Sequence, residues 1–418
     1  MKPNYHIYLL LTVVILCVSY LYILNMVCYS AHDSQTKEWM SDVTDVIILG
    51  LKDRTLYSKL NRDGENISFW YVYWFIHTDK ETTWVLANLR NKFSPEILFN
   101  IYNYNIETKH IAHEGVTISF KDIQVSKKDN TLNLKLKDIY EQTINLIDGK
   151  STLNVNTSSF KIFLNLSITD CNTNLVNFIP FVNNVLGLVT DVKGSQTKTP
   201  GEWFSDNPYI GKVLNGSING NEVYNGSYWF DNFIACNNGF LTTYIWFVVL
   251  NGDWLIYLLW FGDQKDHNSP GAYKPILIKN IKEDRMLYSG MIGVVPELVS
   301  TVEMSYETSK KLGDDEFDSH TVKFLSPEVN IIIKSKPNTC KKVFEFLYYK
   351  STDPVTNFKT EWDKEYYDML NNIVYVEYLL YVDVSITYKG KTEEFTERQI
   401  IDAMYRADEN KPRTLEYR

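Results

Sequence analysis

Between Leu241 and Gly262 the chain reads LTTYIWFVVLNGDWLIYLLWFG. A run this apolar either crosses a membrane or folds back on itself inside a core. Asn251, Gly252 and Asp253 interrupt it near the middle. The apolar pieces Tyr244–Leu250 and Trp254–Phe261 are too short for a spanning helix, which needs about 20 residues. Asn-Gly-Asp is a strong tight-turn signal, and the flanking pieces are rich in the aromatic and β-branched residues that favour strands. The stretch is predicted to be a β-hairpin. Strand alternation puts Tyr244, Trp246, Val248 and Leu250 on one face and Ile245, Phe247 and Val249 on the other. Both faces are apolar. One is expected to pack on the core of its own sheet, the other on a second domain or along an apolar cavity.

The same β-like grain runs through most of the chain. ISFWYVYWFIH, TTWVLANL, EILFNIYNYNI, VTISFKDIQV and TLNLKLKDIY are short runs with Asn, Asp, Gly and Lys clusters between them. STLNVNTSSFKIFLNLSI reads as a strand pair. After Val182 the chain turns irregular, and then strands return, ending in NNIVYVEYLLYVDVSITYKGK. Only TERQIIDAMYRA looks helical. Two β-rich halves joined by a long irregular stretch predict an all-β protein with two tandem antiparallel barrels.

The N-terminus carries the clearest local signal. Tyr8 to Tyr29 gives 22 residues without a charge. Secretory h-regions are shorter, roughly 7–15 residues, so the segment is expected to be an uncleaved transmembrane signal anchor, with the membrane as partner through residues 8–29. Lys2 precedes it, and the flank AHDSQTKE is not basic. That asymmetry puts the N-terminus in the cytosol and the body in a lumen or outside the cell. The expected layout is an anchor over 1–30, a stalk over 31–45, a first β domain over 46–237 and a second over 238–418. Asn66, Asn156, Asn165, Asn215 and Asn225 each open an N-x-[ST] triplet, so all five are candidate glycosylation sites in a surface glycoprotein.

Several function classes fall away. Of 418 residues 44% are hydrophobic and 22% charged, a balance that folds rather than stays disordered. Net charge is −9 with no Lys/Arg-rich tract, which argues against nucleic acid as a partner. Cys171, Cys236 and Cys340 are too far apart for a metal or redox motif. His110 and His113 in HIAHE have a spacing that faces one side of a helix but opposite sides of a strand, so no metal is expected. Neither a dinucleotide fingerprint, a Walker loop nor a nucleophile elbow is present. No cofactor is expected.

From Trp203 to Asp263 the chain resembles the hydroxyneurosporene synthase (carotenoid 1,2-hydratase) family. The likeness rests on NPYIGKVLNGSINGNEVY, then GSYWFDNF, similar to a Gly-x-Ala-Trp/Tyr-x-Asp-His-x-Trp segment, then the hairpin quoted above. SFWYVYWF resembles the family's Glu-Trp-Trp-Tyr strand, and GVTISFKDIQVSKKDNTLNLKL its following strands. The resemblance implies that both β domains are lipocalin-like. It also implies hydration of an isolated C=C bond. The signature Asp is matched by Asp231, whereas Asn232 stands where the pattern has His, and Ser68-Phe69 replaces Glu-Trp.

Hydrating an alkene needs a carboxylic acid kept protonated by apolar neighbours and aromatic faces for the cation. Asp231 is the candidate general acid, and on a strand it would share a face with Trp229 and Phe233. The alternative is an Asp that merely ties a neighbouring strand. Trp70, Trp74, Trp229, Phe233, Tyr244 and Trp246 are candidate ligand-binding residues. Glu377, a lone acid in VYVEYLL, either lines a cavity or faces solvent from an edge strand, and the solvent-facing reading is the expectation. The functional expectation is a membrane-anchored lipocalin-like protein that binds an apolar lipid or isoprenoid. The alternatives are a hydratase or isomerase acting on such a C=C bond, and a non-catalytic surface or structural glycoprotein.

Overall fold

The hairpin forms as its turn chemistry dictates. In the computed structural model Tyr244–Leu250 pairs antiparallel with Trp254–Phe261. The Asn251 side-chain oxygen accepts the backbone N–H of Asp253 and of Trp254, each at 2.8 Å. The side chain thereby caps the turn with bonds the backbone cannot supply. The structure describes residues 67–417 apart from 90–95, 120–121, 130, 146–148, 171–202, 237–243, 262–273, 293–302, 348–372 and 407–412. The expected anchor, the stalk, Asn66 and most of the irregular stretch after Val182 lie outside the described residues. Among those described, no helix is long and apolar enough to cross a membrane.

The described residues form two antiparallel sheets. The first begins with a meander of β1 (Ile67–His77), β2 (Glu81–Leu89), β3 (Glu96–Asn105) and β4 (Ile111–Ser119). A second meander follows: β5 (Ile123–Lys128), β6 (Thr131–Leu136), β7 (Tyr140–Asn145), β8 (Lys150–Asn156), β9 (Lys161–Asp170) and β10 (Trp203–Ile218). The short β11 (Asn221–Val223) pairs with β10, and β12 (Ser227–Cys236) lies between β1 and β10.

The second sheet repeats this order. Its first meander is β13 (Tyr244–Leu250), β14 (Trp254–Phe261), β15 (Lys274–Asn280) and β16 (Arg285–Ile292). Then come β17 (Glu303–Thr308), β18 (His320–Leu325), β19 (Val329–Ser335), β20 (Lys341–Leu347), β21 (Ile373–Tyr388) and β22 (Lys391–Arg406), with β23 (Arg413–Tyr417) on β17. β22 pairs with β13 as β12 pairs with β1. The fold is therefore all-β with two barrel-like sheets, as tandem barrels require.

TERQIIDAMYRA is not helical; it belongs to β22. The apolar residues that imitate a helical period divide between two buried faces. Ile401, Ala403 and Tyr405 point into the second sheet's core, while Ile400 and Met404 belong to another cluster. β21 on one edge and β13 on the other hold the strand along its length.

Each sheet curls around its own apolar core. Trp74, Phe99, Tyr140 and Leu164 belong to the first, Phe247, Tyr306, Ile331 and Tyr378 to the second. A third cluster draws on both sheets. Tyr73, Phe75, Trp84, Leu86, Tyr102 and Trp229 come from the first; Trp246, Val248, Tyr257, Leu379, Ile400 and Met404 from the second. This cluster is the seam between the barrels. The second apolar face of the opening hairpin is half of it.

Candidate functional site

The seam is built from strands buried on both faces, so an ionisable side chain there needs a reason. Two carboxyls sit at its centre. Glu377 on β21 is directly opposite Asp402 on β22, a pairing that sets Cβ atoms about 5 Å apart. Glu377 is fully buried and Asp402 is 5% exposed. The expectation that Glu377 faces solvent is thus corrected: β21 is an interior strand, and the face that carries Glu377 is covered by the first barrel.

Three phenols hold the pair. Tyr73, from the first barrel, donates to Glu377 Oε1 at 2.5 Å. Tyr244 and Tyr375, both from the second barrel, donate to Asp402 Oδ1 and Oδ2 at 3.1 and 2.8 Å. Asp402 thus accepts a bond on each oxygen, the pattern of an ionised carboxylate. Glu377 Oε2 has no hydrogen-bond partner. The Trp84 indole N–H faces Glu377 and Tyr73 and favours the charged form of Glu377.

The electrostatics follow from burial. Desolvation first, and then the negative charge of Asp402, push the Glu377 pKa well above the carboxylate range; bonds from Tyr73 and Trp84 pull it back only in part. Two carboxyls at this separation in an apolar seam do not both ionise. Glu377 is the one held protonated, beside the charge of Asp402. Burial and the adjacent acids also raise the Tyr73, Tyr244 and Tyr375 phenols, so all three remain hydroxyl donors.

Aromatic rings wall the pair. Tyr73 meets Trp246 edge-on at 6.0 Å between centroids. Trp229 lies 5.3 Å from Trp246 and stacks on Tyr257 at 5.3 Å. The indole N–H groups of Trp229 and Trp246 are buried without acceptors. Each such group costs about 1–3 kcal/mol, so the closed seam is not the arrangement that best satisfies its own side chains.

Arg398 lies four residues before Asp402 on β22. It donates to Thr82 Oγ1 at 2.9 Å and to the Glu81 carbonyl at 3.2 Å, reaching across to the first barrel. Thr82 Oγ1 also bonds His77 Nδ1 at 2.9 Å. Desolvation, and then Arg398, push the His77 pKa well below the usual histidine value, so His77 is neutral. The seam therefore carries a polar cross-link at Arg398 and, about 13 Å along the strand, the acid pair.

Of the expected ligand-binding residues, Trp229, Tyr244 and Trp246 meet in the seam. Trp74 points the other way, into the first barrel, where its ring packs on Phe230 at 4.3 Å and its N–H bonds Tyr140 at 3.0 Å. The backbones of Trp70, Asp231 and Phe233 run in β1 and β12, but their side chains lie outside the described residues. His113 stacks on Tyr102 at 4.2 Å and contacts Asn100 at 3.2 Å. Among the described residues no group of three or more metal-ligating side chains gathers. Asn156, Asn215 and Asn225 are exposed and Asn165 half-buried.

Asp402 went unnoticed in the sequence, yet the strand order explains it. Asp231 in β12 sits opposite Tyr73 in β1; Asp402 in β22 sits opposite Trp246 in β13. Counted from the two equivalent hairpins, these are the same position in the two repeats. The family-like signature thus marks in the first barrel the place that the second barrel fills with its seam acid.

No family model matches the chain, and no curated protein does. Among solved structures, CghA with Sch210972 aligns over 82% of this chain and 89% of its own, at 7% identity and a TM-score of 0.50. Kievitone hydratase from Nectria haematococca aligns over 81% and 89%, at 13% identity and a TM-score of 0.44. The likeness to CghA covers 82% of this chain and shows a shared fold.

Proposed function

We propose that the seam binds an apolar unsaturated molecule and that Glu377 protonates it. The observation that carries this reading is the fully buried Glu377 carboxyl, paired with Asp402, with one oxygen lacking any partner. Glu377 Oε2 would give its proton to one alkene carbon, whose π electrons form the new C–H bond. The adjacent cation lies against the Trp84 and Trp246 rings, whose faces favour positive charge. Tyr73 supports the Glu377 carboxylate left behind. From the cation, addition of water with loss of a proton gives hydration; transfer of a neighbouring proton to Asp402 gives isomerisation. Tyr244 and Tyr375 hold Asp402 as the carboxylate that receives it. This reading keeps the hydratase chemistry that the family resemblance implies, but moves the acid from Asp231 to the second barrel.

The test is incubation of the full-length protein with isoprenoid alkenes in D2O, read by mass spectrometry. Wild type is expected to add deuterium, with or without the mass of water. Glu377→Gln keeps the shape and the acceptor for Tyr73, and should lower uptake by about a hundredfold or more. Undiminished uptake in that variant would remove the proposed acid.

The sequence supports a tether through residues 8–29 with the barrels on the non-cytosolic side. Glycosidase sensitivity at Asn215 or Asn225 in cells is the expected result, and labelling of the body by a cytosolic probe would overturn this topology.

A further inference from the structure

The chemistry of the groups left over in the seam describes the ligand more closely than its apolarity does. In the seam core the unsatisfied groups around the acid pair are the indole N–H of Trp229 and Trp246, and one oxygen of Glu377. An indole nitrogen only donates. A protonated Glu377 also donates through the oxygen that carries the proton. All three residues are buried, Trp229 and Glu377 fully and Trp246 at 5% exposure. Their rings adjoin: Tyr73, bonded to Glu377, is 6.0 Å from Trp246, which is 5.3 Å from Trp229.

The barrel cores treat tryptophan differently. Trp74, in the first barrel, has its N–H bonded to Tyr140. Trp254, at the end of the opening hairpin, donates to Glu393 at 3.0 Å. Among the described residues the indole donors of Trp74 and Trp254, outside the seam, have acceptors, whereas those of Trp229 and Trp246 inside it do not. A pure hydrocarbon would leave these donors as they are. A molecule with oxygen acceptors would satisfy them.

We infer that the seam ligand is an apolar molecule bearing two or more hydrogen-bond-accepting oxygens, such as carbonyl or ether groups, held by the Trp229 and Trp246 indoles. This rests on the seam being the ligand site and names the class of molecule it takes. The oxygens set the position of the ligand, and the unsaturated part lies against Glu377. An ether oxygen conjugated with the alkene also spreads the charge that protonation creates. A site built around donors rejects an analogue lacking the acceptors, because the donors then remain buried and unpaired.

The experiment compares two probes of similar shape. Flavone has a carbonyl and a ring ether and no donor; 2-phenylnaphthalene is its hydrocarbon counterpart. Binding to the full-length protein is measured by equilibrium dialysis, with thermal melts to show that variants are folded. Flavone is expected to bind about tenfold or more tightly than 2-phenylnaphthalene. Trp246→Phe should lower flavone affinity more than hydrocarbon affinity and so remove most of that preference; Trp229→Phe gives a second, independent loss. Equal affinity for both probes, or a preference untouched in both variants, would overturn the inference while leaving an apolar site standing. If neither probe binds, the seam is not a ligand site and both readings fall.

Discussion

Glu114 shows what one surface side chain contributes. It stands on β4, at the edge of the first sheet, and meets the turn between β8 and β9. Thr157 Oγ1 and Ser158 Oγ donate to its carboxylate at 2.6 Å each, and the backbone N–H groups of Ser158 and Ser159 at 3.3 and 2.8 Å. Partial burial works against the charge, but bonds from Ser158, Thr157 and Ser159 outweigh it and bring the pKa down to about 2. A depressed carboxyl stabilises the fold above its unfolded value near 4.5, and that stabilisation is lost as pH falls through about 2. Glu114→Gln should lower stability near neutral pH by about 1 kcal/mol, discounted for solvent screening, and flatten the acid limb between those values. Melts from pH 2 to 7 check it; parallel curves for both proteins would count against the clasp. Asp402 marks the limit of legibility at this scale. Nothing near it in sequence says that a sheet ending at Cys236 covers its face, whereas Asp231 lies inside a recognisable signature. Glu377 left a fainter mark: a lone acid in a run apolar at both parities.

Among the elements, local chemistry decides what can be read. The β13–β14 hairpin was legible because Asn251 makes its turn with its own neighbours. The β21–β22 hairpin turns on Lys389 and Gly390, with φ of 50° and 74°, the two left-handed residues that suit twisted strands. Its Lys-Gly is a weaker signal than Asn-Gly, yet the strand before it was still readable. β22 was not, because a strand covered on both faces loses its alternation and keeps only its apolar residues. The same double coverage makes β13, β14, β21 and β22 the strands that can carry a site. Their inner face serves the barrel core, and their outer face serves the seam.

At the scale of the molecule, two β-rich halves were visible in the sequence, but the seam was not, since it arises only when the halves meet. That meeting carries a pH signature. Glu377 has a raised pKa in the fold and an ordinary one, near 4.5, in the unfolded chain. A raised acid favours the fold while protonated, so its contribution is complete below about pH 4.5 and is lost as pH rises through the folded value. Glu377→Gln holds the neutral form at every pH. Its stability relative to wild type should therefore grow as pH rises above about 4.5, by at least about 1 kcal/mol near neutrality. Denaturant melts from pH 4 to 9 read this directly, and a constant difference would mean that Glu377 is not buried as an acid.

The duplicated strand order has one more consequence. Each barrel keeps a complete apolar core that owes nothing to the seam, and among the described residues the chain passes from one sheet to the other only once, between Cys236 and Tyr244. Parting the two sheets would break the Tyr73–Glu377 and Arg398–Thr82 bonds and uncover the shared apolar cluster, while both barrel cores keep their own contacts. A change that weakens the seam should therefore separate the barrels before it unfolds either one.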